Sequence, residues 1–226
     1  MPQLGAQEPS LDDIVQKYLA AKGGAEKLRA VTSVKTTGRL KGPAGEVPVT
    51  SYAKRPNMMR RETTSRGQTF IVGFDGQTVW ALNPMMGPQA RAITGPQADM
   101  AKQDANDFDS VLLDYKQKGY KVDLVGTEPV NGQPMYHLRV TKNNGRAQEV
   151  FLDGKTLLES RMTMELEQGE RKGQAAIEFS NYKSIDGIMV PFTIRQTVDG
   201  QVVGEVSYDA IQFNVPMDEG LFKMPK

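Results

Sequence analysis

Six times this chain sets an Asp-Gly or Asn-Gly pair among short runs of strand-forming residues: Asp75-Gly76, Asn131-Gly132, Asn144-Gly145, Asp153-Gly154, Asp186-Gly187 and Asp199-Gly200. Such pairs reach positive φ at low cost, and between strand-like runs they mark tight hairpins. The stretch from Lys54 to Pro84 shows the pattern at its clearest. Runs at 58–64, 68–74 and 77–82 are cut apart by Gly67 and by Asp75-Gly76. In the second run Phe70, Val72 and Phe74 share one face, while Thr69, Ile71 and Gly73 share the other. In the third, Thr78, Trp80 and Leu82 alternate with Val79 and Ala81. Apolar side chains on both faces indicate strands covered, at least in part, on both sides.

Further runs of period two lie at 34–40 and 47–53, joined by Gly42-Pro43-Ala44-Gly45. Pro48 inside the second of these argues for an edge position or a bulge. Strand character resumes at 120–125, 135–141, 148–152, 157–166, 174–182, 188–196 and 201–213. In one of these runs Leu158, Met162, Met164 and Leu166 share a face with Ser160, and Glu159, Arg161, Thr163 and Glu165 take the wet one. Helical spacing occurs in two places. Leu11, Ile14, Val15, Tyr18 and Leu19 form a stripe capped by Ser10, with Asp13 completing a capping box and Gly23-Gly24 ending the helix. A short helix over 25–30 follows. Phe108, Val111, Leu112 and Tyr115 form a second stripe, which predicts a helix over 99–118 that either packs as a fixed cover or moves as a lid. The expected architecture is mainly β: a flexible segment over 1–9, then one domain over 10–226 of roughly a dozen antiparallel strands with helices.

A net charge of +1 and the lack of a basic face exclude a nucleic-acid footprint. With no cysteine, disulfides, thiolate catalysis and cysteine-bound zinc are excluded. No apolar run approaches the ~18 residues of a membrane helix, and the polar opening Met1–Gln7 shows no signal peptide. The single histidine, His137, reads as structural, without a nucleophile motif near it. Asp104, Asp107 and Asp109 lack the spacing of a calcium loop and read as a solvated or capping group. No catalytic residue, metal site or cofactor is expected, and the chain does not read as an enzyme.

Soft apolar material stands out instead. Methionine fills irregular space and adapts to variable ligands. A curved sheet with a separable helical cover makes a ligand cavity the natural use for it. The candidate lining residues are Phe70, Trp80, Leu82, Met85, Met86, Phe108, Leu112, Met162, Met164 and Phe179.

Lys54-Arg55-Pro56-Asn57, followed by Asp75-Gly76, Thr78, Trp80 and Asn83-Pro84, resembles the LolA-like family of periplasmic outer-membrane lipoprotein carriers; the closing Phe213, Val215 and Pro216 are similar to that family's last strand. The resemblance implies an unclosed half-barrel whose concave face is covered by helices and holds acyl chains of a lipid or of a lipid-modified protein. It implies a periplasmic place, with any leader removed or not shown, and transient membrane contact. An envelope export system or a membrane acceptor protein are the implied partners. A lipid-sensing regulatory or protein-interaction domain of the envelope is the alternative use of the same cavity. By position Arg55 matches the family arginine that bonds barrel to lid. Pro56 interrupts the ladder after it, leaving the guanidinium free for carbonyls of the cover, or for a surface pair with Glu62.

Overall fold

The computed structural model describes residues 9–43, 45–130, 132–168 and 171–225. The expected flexible segment therefore lies, except for Pro9, outside the described residues. Helix α1 (Leu11–Ala21) begins with the reciprocal cap foreseen for it. The Asp13 N–H donates to Ser10 Oγ at 3.2 Å, and the Ser10 N–H donates to the Asp13 carboxylate at 3.3 Å. It ends at Gly23, whose φ of +116° suits glycine, and where a Cβ would overlap the Gly187 carbonyl. The Met189 N–H bonds the Lys22 carbonyl at 3.0 Å, so the end of α1 is tied to a hairpin of the sheet. Helix α2 is Ala25–Ala30.

Strands β1 (Ser33–Gly42), β2 (Gly45–Lys54), β3 (Met58–Ser65), β4 (Gln68–Phe74), β5 (Val79–Leu82) and β6 (Arg91–Ala92) form one antiparallel meander. After α3 (Pro96–Asn106) come β7 (Lys121–Val130), β8 (Gln133–Thr141), β9 (Ala147–Asp153), β10 (Glu159–Gln168), β11 (Arg171–Ile185), β12 (Ile188–Val198) and β13 (Gln201–Phe213). The five Asx-Gly pairs that are fully described lie at turns between consecutive, antiparallel-paired strands; Asn131 of the sixth lies outside the described residues. Pairing of β1 with β13, from Val34↔Phe213 to Lys41↔Glu205, joins the two meanders into one sheet ordered 6-5-4-3-2-1-13-12-11-10-9-8-7. Among the described residues no ladder joins β6 to β7, so this is an unclosed half-barrel. No described helix is long and apolar enough to cross a membrane.

The helices cover one face. Ile14, Val15 and Tyr18 of α1 pack with Val111, Leu112 and Tyr115 onto Val122, Leu138, Val140, Val150 and Leu152 of β7–β9. Ala98, Ala101 and Ala105 of α3 pack onto Met59, Phe74 and Val79 of β3–β5. Each large side chain so buried contributes ~1.5–3 kcal/mol. The convex face is wet over β10–β13, where the in-register row Arg161, Glu178, Arg195, Glu205 alternates in sign across four strands. His137 lies on this face, stacked on Phe151 with ring centroids 4.5 Å apart, its ring nitrogens each 2.7 Å from Glu128 and Glu149.

Pro48 takes the edge position expected of it: β2 runs between β1 and β3, but its pairing with β3 starts only at Val49, so the missing N–H falls where the ladder is one-sided. Two expectations are corrected. The helix expected over 99–118 ends at Asn106, and residues 107–119 are a chain of turns. The stripe is nevertheless buried, apart from a partly exposed Phe108. Helix is lost because side chains compete for the backbone: Ser110 Oγ accepts from the Leu112 N–H at 3.2 Å, and Asp114 sits at φ +54°. Finally, Glu159 faces inward, because a register shift between Glu159 and Arg161 changes the phase of β10.

Gly73 offers a direct check of the convex face. It lies opposite Trp80, and a Cβ there would overlap the indole ring, itself fully buried and pinned by its Nε1–H bond to the Phe222 carbonyl at 2.7 Å. Gly73→Ala should cost ~1–3 kcal/mol in urea unfolding, as overpacking does. A change within experimental error would show that the C-terminal turn yields freely.

Candidate functional site

Between the two helix-covered ends, the central strands keep apolar side chains half-buried on the concave face. Leu40 and Val47 stand on β1 and β2, Val206 and Ile194 on β13 and β12, and Phe179 and Ile177 on β11. One end of this trough is roofed by α2 and the 107–119 segment. A cleft of roughly 140 Å³ remains beneath that roof. Val34, Phe213, Ile188 and Val190 form its floor, and Leu28, Val31, Phe108 and Leu113 its roof. Lys22, Asp109 and Ser110 supply its polar groups. A water's share of liquid is ~30 Å³, and ligand pockets run ~300–1,000 Å³. The cleft as it stands thus admits a few waters and no acyl chain.

Two polar clusters hold the roof down. At the end of β2, Arg55 forms a bidentate pair with Asp109, at 2.7 Å from Nη1 and 2.6 Å from Nη2. Its Nε donates to the Val31 carbonyl at 2.7 Å and its Nη2 to the Leu28 carbonyl at 3.5 Å, capping the end of α2. The guanidinium carbon lies 4.7 Å from the Phe108 ring centroid. One planar fork therefore grips both roofing elements. Glu62, the competing partner, is taken by Arg60 at 2.6 Å.

Glu159 is the centre of the second cluster. Its Oε1 accepts from the Tyr18 hydroxyl, and Ser110 Oγ lies 2.7 Å from the Tyr18 oxygen and 3.3 Å from Oε1. Its Oε2 accepts from Lys22 Nζ at 3.2 Å, with the Tyr182 hydroxyl 3.3 Å away. Helix α1, the roof and strands β10 and β11 all meet at this carboxylate. Burial first, and the neighbouring Glu159 charge second, push the Tyr18 and Tyr182 phenols well above their ordinary value. Further ties come from Lys142 with Asp107 at 2.6 Å and Arg29 with Asp114 at 2.5 Å. Asp107 and Asp109, read from sequence as solvated or capping, are thus ion-paired anchors of the roof.

Of the sequence-derived lining residues, Phe108 lines this cleft. Phe70, Met162, Met164 and Phe179 stand on the same concave face, half-buried. Leu112 is wholly buried against α1. Trp80 and Leu82 lie on the convex face, in line with Gly73 and Ile71. Met85 and Met86 are exposed, at 79% and 69%, on a single turn after β5. Lys22, Glu159, Tyr18 and Tyr182 were not singled out from sequence. A larger groove of about 320 Å³ runs between α1 and residues 112–117; Val15, Leu19, Leu112 and Tyr115 line it together with charged and amide side chains, and the Asp12–Lys116 pair bridges it.

An open antiparallel half-barrel with a pinned helical cover is a class of fold shared with known structures. The chain aligns with a DUF1329 family protein from Desulfovibrio piger at TM-score 0.65 and 16% identity, over 94% of this chain and 96% of that one. A LolA superfamily protein from Nitrosomonas europaea aligns at TM-score 0.60 and 14% identity, over 95% and 98%. A putative outer membrane lipoprotein-sorting protein domain from Vibrio parahaemolyticus aligns at 0.58 and 18%, over 92% and 94%. No protein-family model and no curated protein matches the sequence. The fold is LolA-like.

The raised phenols set an alkaline limit. A group whose folded-state pKa is raised lends stability below its unfolded value, about 10 for tyrosine, and withdraws it as pH rises beyond. Tyr18 and Tyr182 should therefore ionise only as the protein unfolds above pH ~10, seen as delayed phenolate absorbance coincident with loss of circular dichroism. Reversible ionisation of all seven tyrosines in the folded protein would contradict this placement.

Proposed function

We propose that this chain is a cell-envelope binding protein that takes acyl chains of a lipid or of a lipid-modified protein into the trough on its concave face and carries them through the periplasm. The observation that carries the reading is the mismatch between a long apolar trough and a roofed cleft of roughly 140 Å³. Such a site binds only if the roof lifts, and the Arg55–Asp109 pair is built to hold it down. Binding then selects an open state, and its apparent affinity is reduced by the fraction of molecules that are open. Release works in reverse, because reclosure of the pair helps to expel the chain. Handover to a membrane acceptor or export system fits a site whose closed form is stabilised without ligand. The LolA-like fold supports the reading.

Arg55→Leu tests the gate. Losing a charge-assisted fork should lower the stability of the ligand-free protein by ~1–3 kcal/mol. It should also tighten binding of a fluorescent acyl probe roughly 5-fold or more. Loss of stability with unchanged or weaker probe affinity would remove Arg55 from the gate. Native mass spectrometry of the protein from its own host should show a lipid-sized adduct, and a bare chain under conditions that preserve such complexes would count against the function itself.

A further inference from the structure

Met85 and Met86, expected from sequence to line the cavity, are the most exposed large apolar side chains among the described residues, at 79% and 69%. The turn that shows them is built rather than loose. Pro84 starts it, the Asn83 side chain accepts from the Met85 N–H at 3.0 Å, and the Asn83 carbonyl accepts from the Met86 N–H at 2.9 Å. Its place follows from the meander, because antiparallel strands put alternate turns at the same end of a sheet. The β1–β2, β3–β4 and β12–β13 turns and the turn after β5 share one rim. That rim is opposite the end where Val34 and Phe213 lie under the roof. Val202 and Val203, at the start of β13, are exposed on it too.

The charge around the methionines has one sign. From Thr63 to Ala98 the charged residues are Arg66, Asp75 and Arg91. Asp75 sits in the β4–β5 turn at the other end, accepting from the Gln77 and Thr78 N–H groups. Arg66, in the β3–β4 turn, and Arg91, on β6, are exposed, and among the described residues neither meets a carboxylate. On the neighbouring central strands, by contrast, Arg39 pairs with Glu46 and Arg195 with Glu205. Two adjacent methionines on one turn form a tip, with no groove to key a shaped partner. Unbranched, polarisable side chains suit a fluid apolar medium, and unpaired cations beside them suit anionic headgroups.

We propose that the Met85–Met86 turn, with Arg66 and Arg91, docks the protein on an anionic lipid surface, the methionines entering the interface and the guanidiniums meeting headgroup phosphates. The docking stands on exposure and charge, whether or not the trough holds an acyl chain. It adds a direction to the acyl-binding reading: the end of the trough away from the roof is brought to the bilayer. Such contact is weak and reversible, since even one myristoyl chain anchors a protein only marginally.

The test is vesicle flotation, with phosphatidylcholine alone and with added phosphatidylglycerol. Wild-type protein should float with the anionic vesicles at low salt and be released as salt rises. Arg66→Gln with Arg91→Gln should weaken that binding roughly tenfold or more. Met85→Ser with Met86→Ser should also weaken it roughly tenfold. All four side chains are exposed, so both variants should keep the wild-type circular dichroism. The chain has no cysteine, so Met85→Cys takes a single environment-sensitive fluorophore. Its emission should shift to the blue on anionic vesicles. The same label at Lys155→Cys, in the exposed β9–β10 turn at the opposite end, should not shift. No flotation of wild type with anionic vesicles, or binding untouched in the methionine variant, overturns the proposal, and so does an equal blue shift at the two labels. Docking by this turn in a protein that binds no acyl probe would uphold the proposal and remove the carrier reading.

Discussion

Pairing of β1 with β13 is the constraint on which the rest of the molecule depends. Every other ladder joins strands that follow one another in the chain, where a short turn makes closure cheap. This one joins residues 34–41 to residues 205–213, across nearly the whole sequence. Without it there would be two separate meanders, one carrying α3 and the other α1, each with a small covered patch. With it, both helical patches lie on the same concave face, and the strip between them becomes a trough of partly exposed apolar side chains. Gly38, where a Cβ would overlap the backbone of β13, lets the two central strands approach across an irregular step in the register.

The two ends of the cover are held by different physics. Helix α3 presents alanines to Met59, Phe74 and Val79, a smooth and close apolar contact. The 107–119 segment is apolar only in part, and its remaining ties are directional: Asp107, Asp109, Ser110 and Asp114 each meet a partner on another element. Apolar burial falls away gradually as surfaces separate, whereas a bidentate ion pair is either made or broken. Added to the buried Val111, Leu112, Leu113 and Tyr115, such pairs can give the segment two states, which a gate requires. The Glu159 cluster sharpens the point. If Ser110 withdraws with the roof, Glu159 keeps Lys22, Tyr18 and Tyr182, so α1 stays on the sheet while the roof moves.

The hairpins were legible in the sequence because their chemistry is local: an Asx-Gly pair states its own backbone geometry, and the five that are fully described mark a reversal. The amphipathic α1 and its capping box were legible for the same reason. Faces were harder. Alternation separates Trp80 and Leu82 from Val79 and Ala81 but does not say which pair looks inward, and the C-terminal turn that buries Trp80 lies about 140 residues away. Periodicity found the buried side chains around Val111 and Leu112 yet named the wrong backbone, since Ser110 and Asp114 turn the chain without moving the stripe. Glu159 was assigned to the wet face because a one-residue irregularity in β10 leaves no trace in composition. Arg55 was legible as a free guanidinium before a proline. Its acceptors, Val31, Leu28 and Asp109, come from elsewhere in the chain, and only the fold brings them together.

The central claim is that the concave trough takes an acyl chain once the 107–119 roof lifts. A crystal structure of the protein with a long-chain monoacylglycerol tests this most directly. The account requires density for the chain along β1, β13 and β12 on the concave face, the Arg55–Asp109 pair broken, and α1 still bonded to Glu159. Density for the chain on the convex face, or in the groove outside α1 with the roof still pinned, would contradict it.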